Sequence, residues 1–241
     1  SSNVSADAQI KINTNATVQH NVGLVAGKNS GEIYGGYLGK DSLNNISYSA
    51  IANLELINSA TASPSLYLGS IVGYNYGGYI HNLIAGGFIR VTDNDITNIG
   101  EISGFIGGIA GYSDDDPGSS VSVKGINTVA VLGLDLYADN PSLEVAGIVG
   151  KSNRSTITDV RVLASKVTFD QGGLTSYGMI YGEGIVAGIV ANSDADKINF
   201  ASVESFISSA TTASGDAELF YMLNSGQNKV AGLVYTASNT T

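Results

Sequence analysis

The sequence predicts an all-β fold: a parallel β-helix, or β-solenoid, of about six coils built from repeats of roughly 40 residues. Three observations predict it. A seven-residue phrase recurs six times, as GLVAGKN at Gly23–Asn29, GSIVGYN at Gly69–Asn75, GGIAGYS at Gly107–Ser113, AGIVGKS at Ala146–Ser152, AGIVANS at Ala187–Ser193 and AGLVYTA at Ala231–Ala237. Between copies, short apolar alternations are broken by Gly, Ser, Asn and Asp, and no stretch carries a helix-length 3.6-residue period. Charged residues make up only 13% of the chain while Val, Ile and Ala abound, which suits strands better than solvated helices. One coil cannot bury its own apolar face, so neighbouring coils must stack.

In chain order, Ser1–Val22 reads as an N-terminal cap or strand, or as a segment adjoining a preceding domain. Repetition from Gly23 to Ala237 makes residues 1–241 a single domain, with repeats beginning near 23, 69, 107, 146, 187 and 231. The first repeat is longer and holds an extra alternating stretch at Ile46–Leu56. After the phrase comes a second pattern: an apolar residue, another three later and a third two after that. It is read at Ile80/Leu83/Ala85, Val123/Ile126/Thr128, Ile157/Val160/Val162 and Ile198/Ala201/Val203, and it fits a turn of one or two residues between short strands. Alternation resumes downstream, as at Val129–Val131 and Val167–Phe169. A coil therefore holds about three short strands, and five steps at strand spacing give a stack of roughly 24 Å. The last copy is followed by little chain, so either the natural chain continues or 214–227, which carries Phe220 and Tyr221, forms a capping insertion.

Stacking sets equal phrase positions above one another. The third position (Val25, Ile71, Ile109, Ile148, Ile189, Leu233) reads as a core ladder. The fourth (Ala26, Val72, Ala110, Val149, Val190, Val234) is apolar too, so either the coil bends there or another surface covers it. Small residues at the first and fifth positions imply a crowded corner or a positive φ. The seventh (Asn29, Asn75, Ser113, Ser152, Ser193, Ala237) reads as a polar ladder that satisfies backbone groups at a turn.

Several function classes are disfavoured. Net charge is −10 with no basic cluster, which argues against nucleic acid and anionic lipid as partners. Cysteine is absent, which removes disulfides, thiolate metal sites and thiol nucleophiles. No apolar run reaches the ~18–20 residues of a spanning helix. The polar opening at Ser1–Gln9 is no signal peptide, which fits a mature protein or an excised segment.

The segment GSIVGYNYGGYIHNLIAGGFIRV at Gly69–Val91 resembles the GLUG repeat of bacterial surface and secreted proteins, whose pattern is G-G-L-V-G-x-N-x-G-x-I followed by an apolar–Ala–Gly stretch and a β run. GLVAGKNSGEI at Gly23–Ile33 fits nearly as well, and copies from Ala146 onward keep A-G-[IL]-V but lose the Asn-x-Gly tail. The resemblance covers most of 22–237. It implies a β-solenoid in an exported bacterial protein, such as an adhesin or the stalk of a surface protease, and it brings no catalytic residues.

Chemistry-bearing constellations are sparse. His20 and His81 stand in no metal-ligand spacing, and a catalytic zinc normally needs three protein ligands. His81 reads as part of a turn after Ile80. No G-x-S-x-G nucleophile elbow occurs. Carboxylates cluster at Asp93/Asp95, Asp114/Asp115/Asp116 and Asp194/Asp196. A glycosidase needs two carboxyls about 5–10 Å apart in a cleft. The Asp114–Asp116 run lies beside Pro117-Gly118, an exposed turn, and suits either a solvated ion network with Arg154 between acidic loops or a calcium site of oxygen ligands. No other cofactor is expected.

The sixth phrase position is Lys28, Tyr74, Tyr112, Lys151, Asn192 and Thr236. Pointing outward, Tyr74 and Tyr112 would stack between Lys28 and Lys151, with Tyr76 and Tyr79 close by. Such an aromatic strip binds sugar rings or a protein partner, or only stabilises the stack. Three readings follow: a non-enzymatic adhesive module presenting this surface to a host glycan or protein, a carbohydrate-active enzyme working through acidic residues, and a passive stalk joined to neighbouring domains of the same exoprotein. All three place the chain outside the cell or on its surface.

Overall fold

The computed structural model describes residues 4–13, 17–35, 48–93, 101–115, 124–164, 166–168, 175–204, 222–223 and 230–241. Among these there is no helix, and strands pair in parallel throughout, except for the short antiparallel pair Val167–Thr168 with Thr175–Ser176. Three stacked parallel sheets form the walls of a β-helix-like solenoid.

Each phrase straddles the corner between two walls. The lead-in sheet contains Gln19–Val22, Ser65–Gly69, Ser103–Gly107, Leu143–Ala146, Val186–Ala187 and Val230–Ala231, stacked in that order. The phrase sheet contains Ala26–Asn29, Val72–Tyr76, Ala110–Asp114, Val149–Asn153, Val190–Asp194 and Val234–Ser238, also in chain order. The third, broad sheet runs through Val4–Ile12, Ala50–Asn58, Tyr79–Asp93, Gly125–Asp139, Thr156–Leu163 and Lys197–Glu204. Val4–Ile12 and Gln19–Val22 thus continue the sheets as strands, and the extra stretch of the first repeat is the strand Ala50–Asn58, with strict buried–half-buried alternation.

The register is the phrase itself. Lys28 pairs with Tyr74, Tyr74 with Tyr112, Tyr112 with Lys151, Lys151 with Asn192 and Asn192 with Thr236. The third position forms the core ladder: Ile71, Ile109, Ile148 and Ile189 are buried, whereas Val25 and Leu233 on the outermost described copies are 44% and 48% exposed. The fourth position is buried as well, at Val72, Ala110, Val149 and Val190. The chain turns between the lead-in and phrase strands, so residues on both sides of the turn face the same interior. Crowding, not backbone handedness, sets the small fifth position. A Cβ on Gly73 would sit 2.7 Å from the Tyr67 carbonyl oxygen, and one on Gly150 would sit 2.7 Å from the Ile106 nitrogen. Neither glycine has a positive φ.

Two further corners use left-handed residues. Gly77, Arg154, Ala195 and Asn239 lead from the phrase sheet toward the broad sheet, with φ of 63, 56, 56 and 52°. Within the broad sheet, Asn82, Thr128, Asp159 and Phe200 repeat a φ of 50–53° and split each strand into two runs. That left-handed residue explains the three-then-two apolar spacing: it turns the chain, so the residue two before it and the residue directly after it both point inward. Ile80/Leu83/Ala85 and Ile157/Val160/Val162 are buried as the spacing predicts. The third copy needs correction. Ile126 pairs with Ile80 and Val129 with Leu83, so the triad is Ile126/Val129/Val131 and Thr128 is the corner residue. Val123, Asp95, Asp116–Gly118, Phe169 and most of 214–227, with Phe220 and Tyr221, lie outside the described residues.

Polar groups inside the stack are largely paired. Asn29 Nδ2 donates to Asn75 Oδ1 at 2.9 Å, Asn75 Nδ2 to Ser113 Oγ at 3.3 Å, and Ser113 Oγ lies 2.9 Å from Ser155 Oγ. Lower in the stack, Asp196, 1% exposed, accepts the Ser155 backbone N–H at 2.8 Å and the Ser193 hydroxyl.

Candidate functional site

The lead-in strand and the phrase strand of one coil meet at a corner, and their outward side chains converge there. Tyr74 and Tyr112 stack face to face, with centroids 5.0 Å apart and planes 4° off parallel. In-register parallel pairing puts like residues one rung apart, close to ring-stacking distance. Lys28 Nζ lies 5.5 Å over the Tyr74 ring and 4.3 Å over Tyr76. Lys151 Nζ lies 5.5 Å over Tyr112. Tyr76 joins the strip, 5.5 Å from Tyr74.

Two members came from the other wall and were not foreseen. Tyr67 meets Tyr74 and Tyr112 edge-on at 5.7 and 5.2 Å, and Phe105 packs against Tyr67 at 5.6 Å and beneath Lys151 Nζ at 5.1 Å. Both sit two residues before a phrase start, in the two copies that carry tyrosine at the sixth position. That coincidence was the available signal.

Tyr79 is elsewhere. It lies in the broad sheet, stacked on His81 at 4.2 Å, and its hydroxyl accepts from Asn127 Nδ2 at 3.0 Å. His81 is itself on that strand, with Nε2 2.6 Å from Glu32 Oε1 and Tyr34 5.0 Å away. A further ladder on the broad sheet stacks Tyr137 on Tyr181 at 4.6 Å with the Arg90 guanidinium 5.0 Å over Tyr137.

Burial, first, and then the carboxylate of Asp114 and the neighbouring phenols hold the Tyr74 hydroxyl protonated well above its ordinary range. Tyr112 is raised by burial and Asp114 against a lowering hydrogen bond from Asn153, and Tyr67 by burial alone. These phenols remain neutral hydrogen-bonding groups across the physiological range.

The acidic residues are engaged in separate contacts. Asp114 Oδ1 accepts from Arg154 Nη2 at 3.0 Å and Asn153 Nδ2 at 3.1 Å, while Asp115 lies 3.3 Å from Lys124 Nζ. Arg154 thus joins the Asp114 loop through its side chain, but it meets Asp194 through the backbone, donating its N–H to the Asp194 carbonyl at 2.7 Å. Asp196 is not part of that surface network, because it points inside. Asp116, the third residue of the calcium candidate, is not described, and the Asp93 side chain is not described either. Among the described residues no three His, Asp or Glu side chains group closely enough to hold a metal ion.

Comparison with protein-family models, with curated proteins and with solved structures found no match.

Proposed function

We propose that this chain is a non-enzymatic β-solenoid of about six coils with roughly 40-residue repeats, serving as a structural and adhesive module of a bacterial surface or secreted protein. Its work is to hold a binding strip toward a host-surface partner. The observation that carries this reading is the Lys28–Tyr74–Tyr112–Lys151 column with Tyr67, Tyr76 and Phe105 packed around it. Aromatic residues gathered at one outward corner are the composition of interaction surfaces, since rigid rings give contact area at low entropic cost. Likeness of the phrase to GLUG repeats supports an exported bacterial setting. The engagement of Asp114 by Arg154 and Asn153, and the burial of Asp196, weigh against the carbohydrate-active alternative, which needs convergent carboxylates free to reach a substrate.

The test is binding of the purified chain to an array of host glycans and matrix proteins, repeated with Tyr74→Ala plus Tyr112→Ala. A specific hit lost in the double variant supports the reading. A hit unaffected by it moves the site away from the strip. A blank array favours the second reading, a passive stalk, for which the ladder's own stacking is the supporting observation.

A further inference from the structure

Resting on that binding reading, we infer that the strip recognises an extended acidic peptide segment of a protein partner, laid along the stack axis with carboxylates on the two terminal lysines. The ring faces decide against flat sugar stacking. Each of Tyr74 and Tyr112 has one face on the other ring and the second face beneath an ammonium group, Lys28 at one end and Lys151 at the other. Tyr67 closes their flank edge-on. What remains toward solvent is ring edges, neutral phenolic hydroxyls and two ammonium groups. Hydroxyls of that kind donate to peptide carbonyls, and ammonium groups attract carboxylates.

Charge complementarity points the same way. In a chain of net charge −10, three of the described lysines and arginines, Arg154, Lys124 and Arg161, are paired with Asp114, Asp115 and Asp159. Lys28 and Lys151, like Lys11, Arg90, Lys166 and Lys197, enter none of the ion pairs among the described residues; what sets the two apart is that both rest on the rings of one strip. The carboxylate within the strip, Asp114, is already matched by Arg154 and Asn153, and Glu144 follows Phe105 in the lead-in column. The strip therefore presents one ammonium group at each of its two ends, on an acidic molecule.

Spacing selects an extended peptide. Lys28 and Lys151 are three rungs apart in register, about 14 Å at ~4.8 Å per rung. An extended strand advances ~3.3 Å per residue with every second side chain on one face, so Glu at i and i+4 stand about 13 Å apart, facing the same way. The residue at i+2 then lies over the tyrosine edges.

The experiment is fluorescence polarisation with a labelled Ser/Thr-rich peptide carrying Glu at i and i+4. Its counterparts carry Gln at both positions or Glu at i and i+2, and an oligouronate serves as a separate arm. The expected result is binding of the i, i+4 peptide that weakens between about 50 and 300 mM salt. Lys28→Ala and Lys151→Ala each lower affinity by about two- to fivefold. Lys28→Glu with Lys151→Glu should transfer preference to a peptide with Lys at i and i+4, with circular dichroism unchanged. Equal binding of the Gln peptide, indifference to both lysine variants, or binding of the oligouronate alone overturns the inference. If the lysine variants keep an array partner that Tyr74→Ala plus Tyr112→Ala loses, this inference falls and the binding reading stands.

Discussion

Asn29 and Asn75 face each other across one rung, the Nδ2 of the first donating to the Oδ1 of the second at 2.9 Å inside the stack. Asn75 passes the contact on through its own Nδ2, to Ser113 Oγ and to the Gly78 carbonyl at 3.1 Å. Asn75 is 1% exposed. Asn75→Ala leaves buried partners on both sides unmet, and we expect a loss of about 1–3 kcal/mol, read as a lower urea midpoint with unchanged slope.

Burial raises the carboxyl pKa of Asp196 from its ordinary 3.8, against lowering contacts from the Ser193 hydroxyl, the Ser155 N–H and the Ser152 hydroxyl. The folded state therefore holds this proton more tightly than the unfolded one. Stability from this group is highest below 3.8, falls as pH rises to the raised folded value, and is flat above it. Asp196→Asn keeps the Ser155 and Ser193 contacts, since Oδ1 still accepts from Ser155 and the amide donates to Ser193. Chemical denaturation at pH 7 should find it as stable as the parent or more so, with the advantage gone at pH 3. Asp196→Ala should cost about 1–3 kcal/mol at both pH values.

Alkali acts through the strip and through Tyr48 and Tyr137 outside it, which burial also raises. Tyr67, Tyr74 and Tyr112 are all raised above the ordinary 10, so folded-state stability falls as pH climbs past 10 through their folded values. Spectrophotometric titration should show a late-ionising class of phenols that is reduced in Tyr74→Phe and abolished in denaturant.

The left-handed corner at Thr128 carries a β-branched residue at φ 53°, where Asn82 and Asp159 serve in neighbouring coils. Thr128→Asn should stabilise by roughly 1 kcal/mol, seen as a higher Tm. A lower Tm would mean that the Thr128 hydroxyl, which donates to Asn127 Oδ1 at 3.0 Å, outweighs the backbone strain.

At the fifth phrase position, the crowded corner should punish added volume where the backbone of the neighbouring coil is close. Gly111 has the carbon of the Tyr67 carbonyl 2.7 Å from where a Cβ would sit. Ala191 occupies the same phrase position and packs with the small side chains of Ala146 and Ala187. Gly111→Ala should cost about 1–3 kcal/mol, and Ala191→Gly about 1 or less, by the same denaturation measurement.

Register was legible because it is written in repeated residues: once Ile71, Ile109, Ile148 and Ile189 align, so do Lys28, Tyr74, Tyr112 and Lys151. Local corners were harder to place. Thr128 looked like a core position because its apolar neighbours are spaced on both sides of it, and only its left-handed φ separates a turn from a strand residue. Tyr79 was grouped with Tyr76 by proximity in the chain, yet Gly77 turns between them and sends Tyr79 onto another wall. Tyr67 and Phe105 were missed for the complementary reason. They lie on a different strand from the tyrosines they touch, and the corner that joins the walls leaves no periodic mark. Asp196 resembles Asp194 in sequence but points into the stack, an alternation that short loops conceal.

The phrase sheet ties each copy only to the copies directly before and after it. Tension along the stack is therefore carried by all the inter-rung seams in series, so the weakest parts first and frees one coil of slack. The roughly 40 residues from one phrase to the next would pay out on the order of 130 Å when drawn straight. A chain stacked in this way would lengthen in steps under load, one coil at a time.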